Sequence, residues 1–253
     1  MRILTKKEIF ILTVRTFLIR TLYNYKNLFG IGLCYCLLPV GKKSFNPDLK
    51  TEEFLKRHIS FFNTNVYLSG FAVGITIHME SSGKSEKLVQ VKNTLSGTLG
   101  ALGDNLINKT ILPLMIFSSL NFFVIHKFEL NLFTIFFNLF LLTIFNIFNF
   151  SIRYYGISRG HKVGSKSLDL FKSKSYKSIM KILSFTRDLL AAFLIINLIT
   201  LLNLPKSNHV YLLNLSFSML LFFYLTKFFQ ITLREIAIIL AVLFYLIVHI
   251  YYF

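Results

Sequence analysis

The residues His58 and Asn63-Thr64-Asn65 form a segment that is unusually polar for its surroundings. Amide and hydroxyl groups both donate and accept hydrogen bonds, as sugar hydroxyls do. Such groups suit a sugar better than an ion or a phosphate. Asn and Thr also prefer helix ends, so a helix cap is the competing interpretation. The residue types therefore indicate either a sugar site or a structural cap.

A second candidate is Asp104, which follows three glycines at positions 97, 100 and 103. Closely spaced glycines permit a close backbone approach or a broken helix. An ionisable group at membrane depth marks a functional site, whereas an Asp at a helix break accepts hydrogen bonds from backbone amides. Both interpretations are open. We expect Asn63 to matter more than Asp104 for sugar recognition, because an amide avoids the desolvation cost of a buried charge.

Glycines recur at 156, 160 and 164, in the segment that begins Arg153-Tyr154-Tyr155. Glycines spaced by four make a smooth helix face, which predicts close helix packing. The tyrosines and basic residues of this segment are typical anchors at a membrane interface.

The segment before Arg153 carries a polar stripe at helical spacing, which is made of Asn131, Thr134, Asn138 and Asn149, with Asn146 beside it. Such a stripe predicts a face toward protein rather than lipid. Hydrogen bonding to a partner subunit is the first interpretation, lining of a substrate path the second, and random Asn enrichment the third.

Other chemistry is not indicated. Cys34 and Cys36 lack a nearby His or second Cys pair, so they are interpreted as small buried hydrophobes rather than a metal site. The chain carries no nucleotide-binding loop and no recognisable catalytic motif. We therefore predict no catalytic residue, no metal and no cofactor.

The elements that position these residues are predicted to be membrane helices. The 253 residues are 54% hydrophobic and only 15% charged, with 29 Phe and a mean hydropathy of +0.61. This composition excludes disorder and disfavours a water-soluble globule. Continuous apolar runs at 110–126, 128–150, 189–204, 210–226 and 236–253 predict five transmembrane helices. The fold class is thus an all-α integral membrane protein.

The N-terminal region predicts a helix that lies in the membrane interface. Phe10, Val14, Phe17 and Leu18 recur at helical spacing. The basic residues of this region can reach anionic headgroups, and they are Lys6, Lys7, Arg15, Arg20 and Lys26. The apolar segments 28–40 and 66–79 are too short to span simply, so we expect re-entrant or interfacial segments buried against protein.

The net charge of +17 is interpreted as a sign of topology rather than of nucleic-acid binding. Of the 28 Lys and Arg, only Lys127 and Lys206 fall on one side of the predicted spans. The positive-inside rule then predicts a cytoplasmic N-terminus and an external C-terminus. Three regions are expected, namely 1–57, 58–188 and 189–253, of which the last contains three spans.

Four segments, in this order, resemble the IID membrane component of the mannose/fructose/sorbose family of the bacterial phosphotransferase system. Asn24-Tyr25 with Gly30-Ile31-Gly32 and Leu38-Pro39 resembles the family's opening element NYERMQ…GF…LLP. His58 to Asn65 resembles HxxFFNTHP, Gly97 to Leu106 resembles GPLAGIGDSL, and Arg153 to Gly164 resembles RYYGxxxGYxxG.

The resemblance implies a non-catalytic subunit of a sugar permease in the bacterial inner membrane. In that family IID forms the sugar channel with a IIC subunit, in a trimer of heterodimers, and the cytoplasmic IIB and IIA proteins carry the phosphoryl group. Membrane lipids are the other expected partners. The implied sugar-site residues are Asn24, His58, Asn63, Thr64, Asn65 and Asp104.

Several polar positions depart from the family pattern. Lys26 replaces an acidic residue, Phe29 a Gln, Asn65-Val66 a His-Pro pair, and Leu112 an Arg. The packing glycines are retained. A diverged structural or regulatory membrane protein of an incomplete phosphotransferase system is therefore the alternative to a sugar permease.

Overall fold

The computed structural model describes residues 4–44, 51–82 and 88–201, and these ranges contain helices and no strand. The α-helices are α1 (Lys6–Phe17), α2 (Gly30–Ser44), α3 (Thr51–Ile59), α4 (Ser69–Ser81), α5 (Leu88–Gly103), α6 (Leu112–Ile125), α7 (Leu132–Val163) and α8 (Lys174–Leu201). Shorter 3-10 segments cover Val66–Leu68 and Gly164–Lys172, and a π-helix covers Asp104–Ile111. The prediction of an all-helical chain is confirmed for these residues.

Two continuous helical stretches are long and apolar enough to cross a membrane, Leu88–Ile125 and Leu132–Lys172. They overlap the predicted spans 110–126 and 128–150, although the first ends at Ile125 and the second begins only at Leu132, and each extends beyond its predicted span at the other end. The turn predicted at Lys127–Glu129 lies between α6 and α7. The predicted spans 210–226 and 236–253, and the end of 189–204, lie outside the described residues.

Helix α1 begins with a capping box, in which the Glu8 amide donates to Thr5 Oγ1 at 3.2 Å and the Thr5 amide donates to Glu8 Oε2 at 2.9 Å. Its buried residues are Ile9, Leu12, Thr13 and Thr16, and its exposed apolar residues include Phe10, Val14, Phe17 and Leu18. An apolar face therefore remains exposed, as expected of an interfacial helix.

Arg15 has a different role from the headgroup contact that the sequence suggested. Its Nη1 donates to the Tyr35 carbonyl at 2.7 Å, and the guanidinium lies 4.4 Å from the centre of the Tyr35 ring. The side chain thus ties α1 to α2, because a nearby carbonyl and aromatic face satisfy the cation within the chain.

The predicted glycine packing is confirmed between α4 and α7. A Cβ at Gly70 would overlap the Arg153 carbonyl oxygen, and one at Gly74 would lie 2.5 Å from the Ile157 carbonyl oxygen. From the other side, Cβ atoms at Gly156 and Gly160 would lie 2.7 and 2.9 Å from backbone nitrogens of α4. The two helices therefore touch backbone to backbone, which only residues without a Cβ permit.

The short apolar segments are buried against protein, as predicted. Every residue of α4 from Ser69 to Ile77 is buried. In α2, Cys34 and Cys36 are buried free thiols, which confirms their interpretation as small hydrophobes.

The glycines before Asp104 do not break the helix, because α5 continues directly into the π-helix. The wider turns show in the backbone amide of Leu112, which donates to the Ile107 carbonyl, five residues back. The cause lies at Pro113, which cannot donate a backbone hydrogen bond and crowds the carbonyl four residues before it. A π-turn accommodates that defect without ending the helix.

The structure divides into two compact units, Met1–Leu112 with Leu139–Ile182 and Pro113–Asn138 with Leu183–Phe253. The boundaries of these two units differ from those of the three regions predicted from the sequence, and the three regions stay a prediction.

In the second unit, Asn121 Nδ2 donates to the Leu190 carbonyl at 2.8 Å, and Asn197 Nδ2 donates to Asn121 Oδ1 at 3.0 Å.

The polar stripe makes hydrogen bonds within this chain, and its members Thr134 and Asn149 are buried, whereas Asn146 is exposed. Asn131 Oδ1 accepts from the Thr134 amide at 2.8 Å, and Asn138 contacts Ser119 and the Thr134 carbonyl. Farther along α7, Asn149 binds Arg153. Hydrogen bonding of this stripe to a partner subunit, the first interpretation from the sequence, stays a prediction.

Replacing Gly70 with Ala tests the backbone contact. We expect Gly70→Ala to lower the free energy of unfolding by about 1–3 kcal/mol, because the new Cβ displaces the α7 backbone. Thermal unfolding of the detergent-solubilised protein measures this effect. Gly100→Ala is the matched control, since its Cβ meets nothing within 4 Å and the helix gains about 1 kcal/mol in propensity. Equal melting temperatures for the two variants would contradict the backbone contact.

Candidate functional site

A cavity of about 590 Å³ lies within the first unit. Its walls combine polar side chains with aromatic rings. The polar lining residues are Arg20, Thr64, Asn65, Asp104, Asn108, Asn149 and Arg153, and the aromatic ones are Phe17, Tyr23, Phe29 and Tyr67. Polar groups that converge in such a concave space are typical of small-molecule sites.

Asn65 joins the two candidate segments of the sequence. Its Oδ1 accepts from the Tyr67 amide at 3.1 Å, which caps the 3-10 turn leading into α4. Its Nδ2 donates to Asp104 Oδ1 at 2.9 Å, and Asn108 Nδ2 donates to the same oxygen at 3.0 Å. The capping interpretation is therefore correct for Asn65, which also holds Asp104 at the cavity.

Gly103 makes this contact possible. A Cβ there would overlap the Asn65 side chain, whereas Cβ atoms at Gly97 and Gly100 would meet nothing within 4 Å. Asp104 accepts from two side-chain amides instead of the backbone amides that the sequence suggested. The reason is that the helix continues through this point and leaves no exposed helix start.

Thr64 offers a hydroxyl that the protein leaves unused. The residue is 5% exposed and lines the cavity, and its Oγ1 is buried without a hydrogen-bond partner in the described part of the chain. A buried hydroxyl without a partner is costly and rare. A ligand hydroxyl in the cavity would satisfy it.

Arg153 is the cavity residue whose role the sequence interpretation missed. It is 2% exposed instead of anchoring at the membrane interface. Its Nε donates to Asn149 Oδ1 at 2.8 Å, and its Nη1 donates to the Thr16 carbonyl at 2.5 Å and to Ser69 Oγ at 3.2 Å. The guanidinium also lies 4.4 Å from the centre of the Phe17 ring. The available signal was Asn149, which precedes Arg153 by one helical turn.

Asn24 lies in a turn beside the cavity wall rather than in the lining. Its Oδ1 accepts from the Lys26 and Asn27 amides at 3.1 and 2.8 Å, and its backbone pairs with Leu28. The Phe29 amide in turn donates to the Phe62 carbonyl at 2.9 Å. The first and second family-like segments are therefore adjacent, and Asn24 shapes the turn that joins them.

Asn63 and His58 are not among the residues that line the cavity. Asn63 is exposed, and its backbone amide donates to Ser96 Oγ at 3.2 Å. The structure thus brings Thr64, Asn65 and Asp104 together and leaves the other predicted site residues outside the lining. Within the described ranges no three His, Cys, Asp or Glu side chains are placed to hold a metal.

His58 belongs to a separate buried network of charges. Its Nε2 lies 3.0 Å from Glu80 Oε1, and Arg57 Nη1 lies 3.1 Å from the same oxygen. Lys92, which is 1% exposed, donates to the Arg57 and His58 carbonyls at 3.3 Å and to Ser60 Oγ at 2.8 Å. A cation at these last carbonyls of α3 satisfies the helix end, and the network joins α3, α4 and α5.

The pKa values of His58 and Glu80 are both lowered in this network. Burial lowers the pKa of His58, although the hydrogen bond and charge of Glu80 oppose the shift. Burial alone would raise the pKa of Glu80, but His58 and Arg57 outweigh it, and the pKa is lowered. Neutral His58 and ionised Glu80 are both favoured in the folded state, so acid destabilises the network through each of them.

We expect the melting temperature of the solubilised protein to be highest above about pH 6.5 and to fall on acidification. The unfolded chain takes up a proton at His58 near that pH, and the contribution of Glu80 is lost as pH falls through its lowered native pKa. Melting curves from pH 7.5 to 4.5 measure this. His58→Gln should flatten the upper part of the profile, and His126→Gln, outside the network, should not. Identical pH profiles for the unchanged protein, His58→Gln and His126→Gln would refute the assignment of this pH dependence to His58.

Comparison with known proteins shows the family of this chain. The family model described as the PTS system mannose/fructose/sorbose family IID component matches residues 3–252. The fructose permease IID component of Bacillus subtilis (strain 168) is 32% identical over 118 residues, which cover 44% of this chain and 43% of the relative. The mannose-specific EIID component of Escherichia coli (strain K12) is 24% identical over 176 residues, which cover 67% and 59%. The chain thus aligns with about half the length of these relatives.

A solved structure is similar in fold. It is the cryo-electron microscopy structure of the mannose transporter ManYZ with microcin E492, at 21% identity and a TM-score of 0.55. The alignment covers 76% of this chain and 70% of the other. Because the family model matches nearly the whole chain, the glycine-packed helices and the cavity at Asn65 and Asp104 are those of a membrane protein that belongs to the IID components of the mannose/fructose/sorbose family of the phosphotransferase system.

Proposed function

We propose that this chain is the IID subunit of a phosphoenolpyruvate-dependent sugar permease and that its sugar binds in the cavity. The observation that carries the proposal is the meeting of Thr64, Asn65 and Asp104 at one concave surface with an unpaired buried hydroxyl. In this proposal a IIC-type subunit completes the translocation channel in a trimer of heterodimers, and cytoplasmic IIB and IIA proteins deliver the phosphoryl group. The chain itself is non-catalytic.

The lining suits a pyranose. Hydroxyl, amide and carboxylate groups supply donors and acceptors for sugar hydroxyls, and rings such as Tyr67 and Phe17 offer flat apolar faces to the C–H side of the ring. A volume of about 590 Å³ lies within the usual range for small-molecule sites. Asp104 accepts one hydrogen bond from Asn65 and one from Asn108, so these polar groups are ordered before the ligand arrives.

Three of the five positions that depart from the family pattern line this cavity. Phe29, Asn65 and Val66 all line it, and each replaces a different residue type in the family element. A changed lining on a retained scaffold supports a sugar specificity different from that of the relatives. The same observation favours the second candidate function, a structural or regulatory membrane protein that transports no sugar.

We further propose that the protein lies in the bacterial inner membrane with a cytoplasmic N-terminus and an external C-terminus. The support is the asymmetry of the basic residues, of which only Lys127 and Lys206 fall on the external side. Reporter fusions after Lys174 and Lys206 distinguish this orientation from its inverse.

Partnership and transport are tested together. We expect the chain, co-expressed with the IIC-like protein of the same genome, to purify as one complex, and we expect cells with both genes and the matching IIA and IIB proteins to accumulate labelled hexose. Omission of the chain should abolish uptake. A stable complex without uptake of any hexose would favour the regulatory alternative, and absence of a complex would contradict the subunit assignment.

The cavity is tested at Thr64. We expect Thr64→Val to weaken sugar binding by about 1–2 kcal/mol, because the hydroxyl is lost while the volume is kept. Asn63→Ala is the matched control from the same loop, and the structure predicts a smaller effect there. Calorimetric titration of the purified complex measures both, and a larger loss in Asn63→Ala would restore Asn63 as the main sugar contact.

A further inference from the structure

The cavity holds more positive than negative charge. Arg20 and Arg153 line it, and Asp104 is the only carboxylate among its lining residues. Asp104 is engaged by the amides of Asn65 and Asn108 and forms no ion pair with either arginine in the described part of the chain. The lining residues therefore carry one more positive charge than negative charge.

Arg153 carries this imbalance at a buried position. It is 2% exposed, and its partners are a carbonyl, a hydroxyl, an amide oxygen and aromatic rings, all of them neutral. Burying a cation without an opposite charge is unfavourable, because neutral dipoles replace only part of the lost hydration. Within residues 4–44, 51–82 and 88–201, Nη2 of Arg153 makes no hydrogen bond, so one edge of the guanidinium remains available.

The neighbouring groups suit an anion. Asn149 binds Arg153 through Oδ1, and its Nδ2 makes no hydrogen bond to any described residue. Arg20 is exposed and forms no ion pair among the described residues. Two guanidinium groups and an amide donor in one cavity match the oxygen atoms of a carboxylate or a phosphate.

The unpaired Thr64 hydroxyl gives this cavity a second, neutral recognition element. A simple inorganic anion would satisfy the arginines and leave Thr64 without a partner. A neutral hexose would satisfy Thr64 and leave the charge uncompensated. Only a ligand with hydroxyls and an anionic group satisfies both.

We propose that the cavity binds a hexose that carries an anionic group, with the anion at Arg20 and Arg153 and the hydroxyls at Thr64 and Asn65. The inference deepens the proposed function and rests on it. A carboxylate would belong to an acidic sugar that is the substrate. A phosphate would belong to the phosphorylated sugar that such a permease releases. The shared chemistry is an anionic hexose, and the experiment separates its two sources.

The experiment is calorimetric titration of the purified complex, in a detergent without charge, with mannose, mannose 6-phosphate, mannuronate and inorganic phosphate. We expect at least one of the two anionic hexoses to bind about tenfold or more tightly than mannose, and this preference should shrink as salt is added. Preference for the phosphate ester identifies the phosphorylated product, and preference for mannuronate identifies an acidic substrate. Inorganic phosphate should bind more weakly than either preferred hexose.

Arg20→Gln tests the assignment of the anion, because Arg20 is exposed and lies in the turn that follows α1, so its replacement leaves the helix itself unchanged. We expect the ratio of anionic to neutral hexose affinity to fall about tenfold. Arg159→Gln is the matched control, since Arg159 is also exposed and does not line the cavity. The same fall in both variants would mean that overall charge, not the cavity, attracts the anion, and would overturn the inference.

Two further outcomes distinguish failure of the anion site from failure of the proposed sugar permease function. Mannose binding as tight as that of both anionic hexoses would overturn the anion site and leave the sugar permease assignment standing. Absence of binding by every hexose would overturn both.

Discussion

The backbone contact between α4 and α7 is the constraint on which the first unit depends. Glycines on both helices remove the Cβ atoms that would hold the helices apart, so their main chains meet directly. This approach brings Arg153 to Ser69, at the start of α4, and to the Thr16 carbonyl near the end of α1. The position of α1 and one wall of the cavity therefore follow from how closely two helices can approach.

Buried charges determine how the other helices join this pair. Lys92 reaches from α5 to the last carbonyls of α3, and Glu80 of α4 holds Arg57 and His58. Buried ion pairs contribute little net stability, because desolvation offsets most of the attraction. Their geometric demands are strict, however, since a shift in any one helix would leave a charge without its partner. We interpret this network as a device that selects one arrangement of α3, α4 and α5.

The residues that agree with the family elements and the residues that depart from them have different places in the structure. Gly103, Gly156 and Gly160 agree with the family elements that these segments resemble; Gly156 and Gly160 allow the α4–α7 contact, and Gly103 allows Asn65 to reach Asp104. Of the positions that depart from this pattern, Phe29, Asn65 and Val66 line the cavity, whereas Lys26 and Leu112 do not. A wall residue can change without disturbing the helix contacts, so the same scaffold can present a different surface to a ligand.

Composition and periodicity along the chain predict the helical class, the apolar stretches around 110–150 and the packing role of the glycines at 156 and 160. The resemblance of four ordered segments indicates the family. Only the tertiary structure decided that Asn65 contacts Asp104, that Gly103 but not Gly100 is sterically required, and that Arg153 is buried. Neighbouring residues in a loop point in different directions, and a helix meets its neighbours on one face only. Which of several similar residues lines a cavity is therefore set by contacts between segments far apart in the chain, and local sequence carries no record of those contacts.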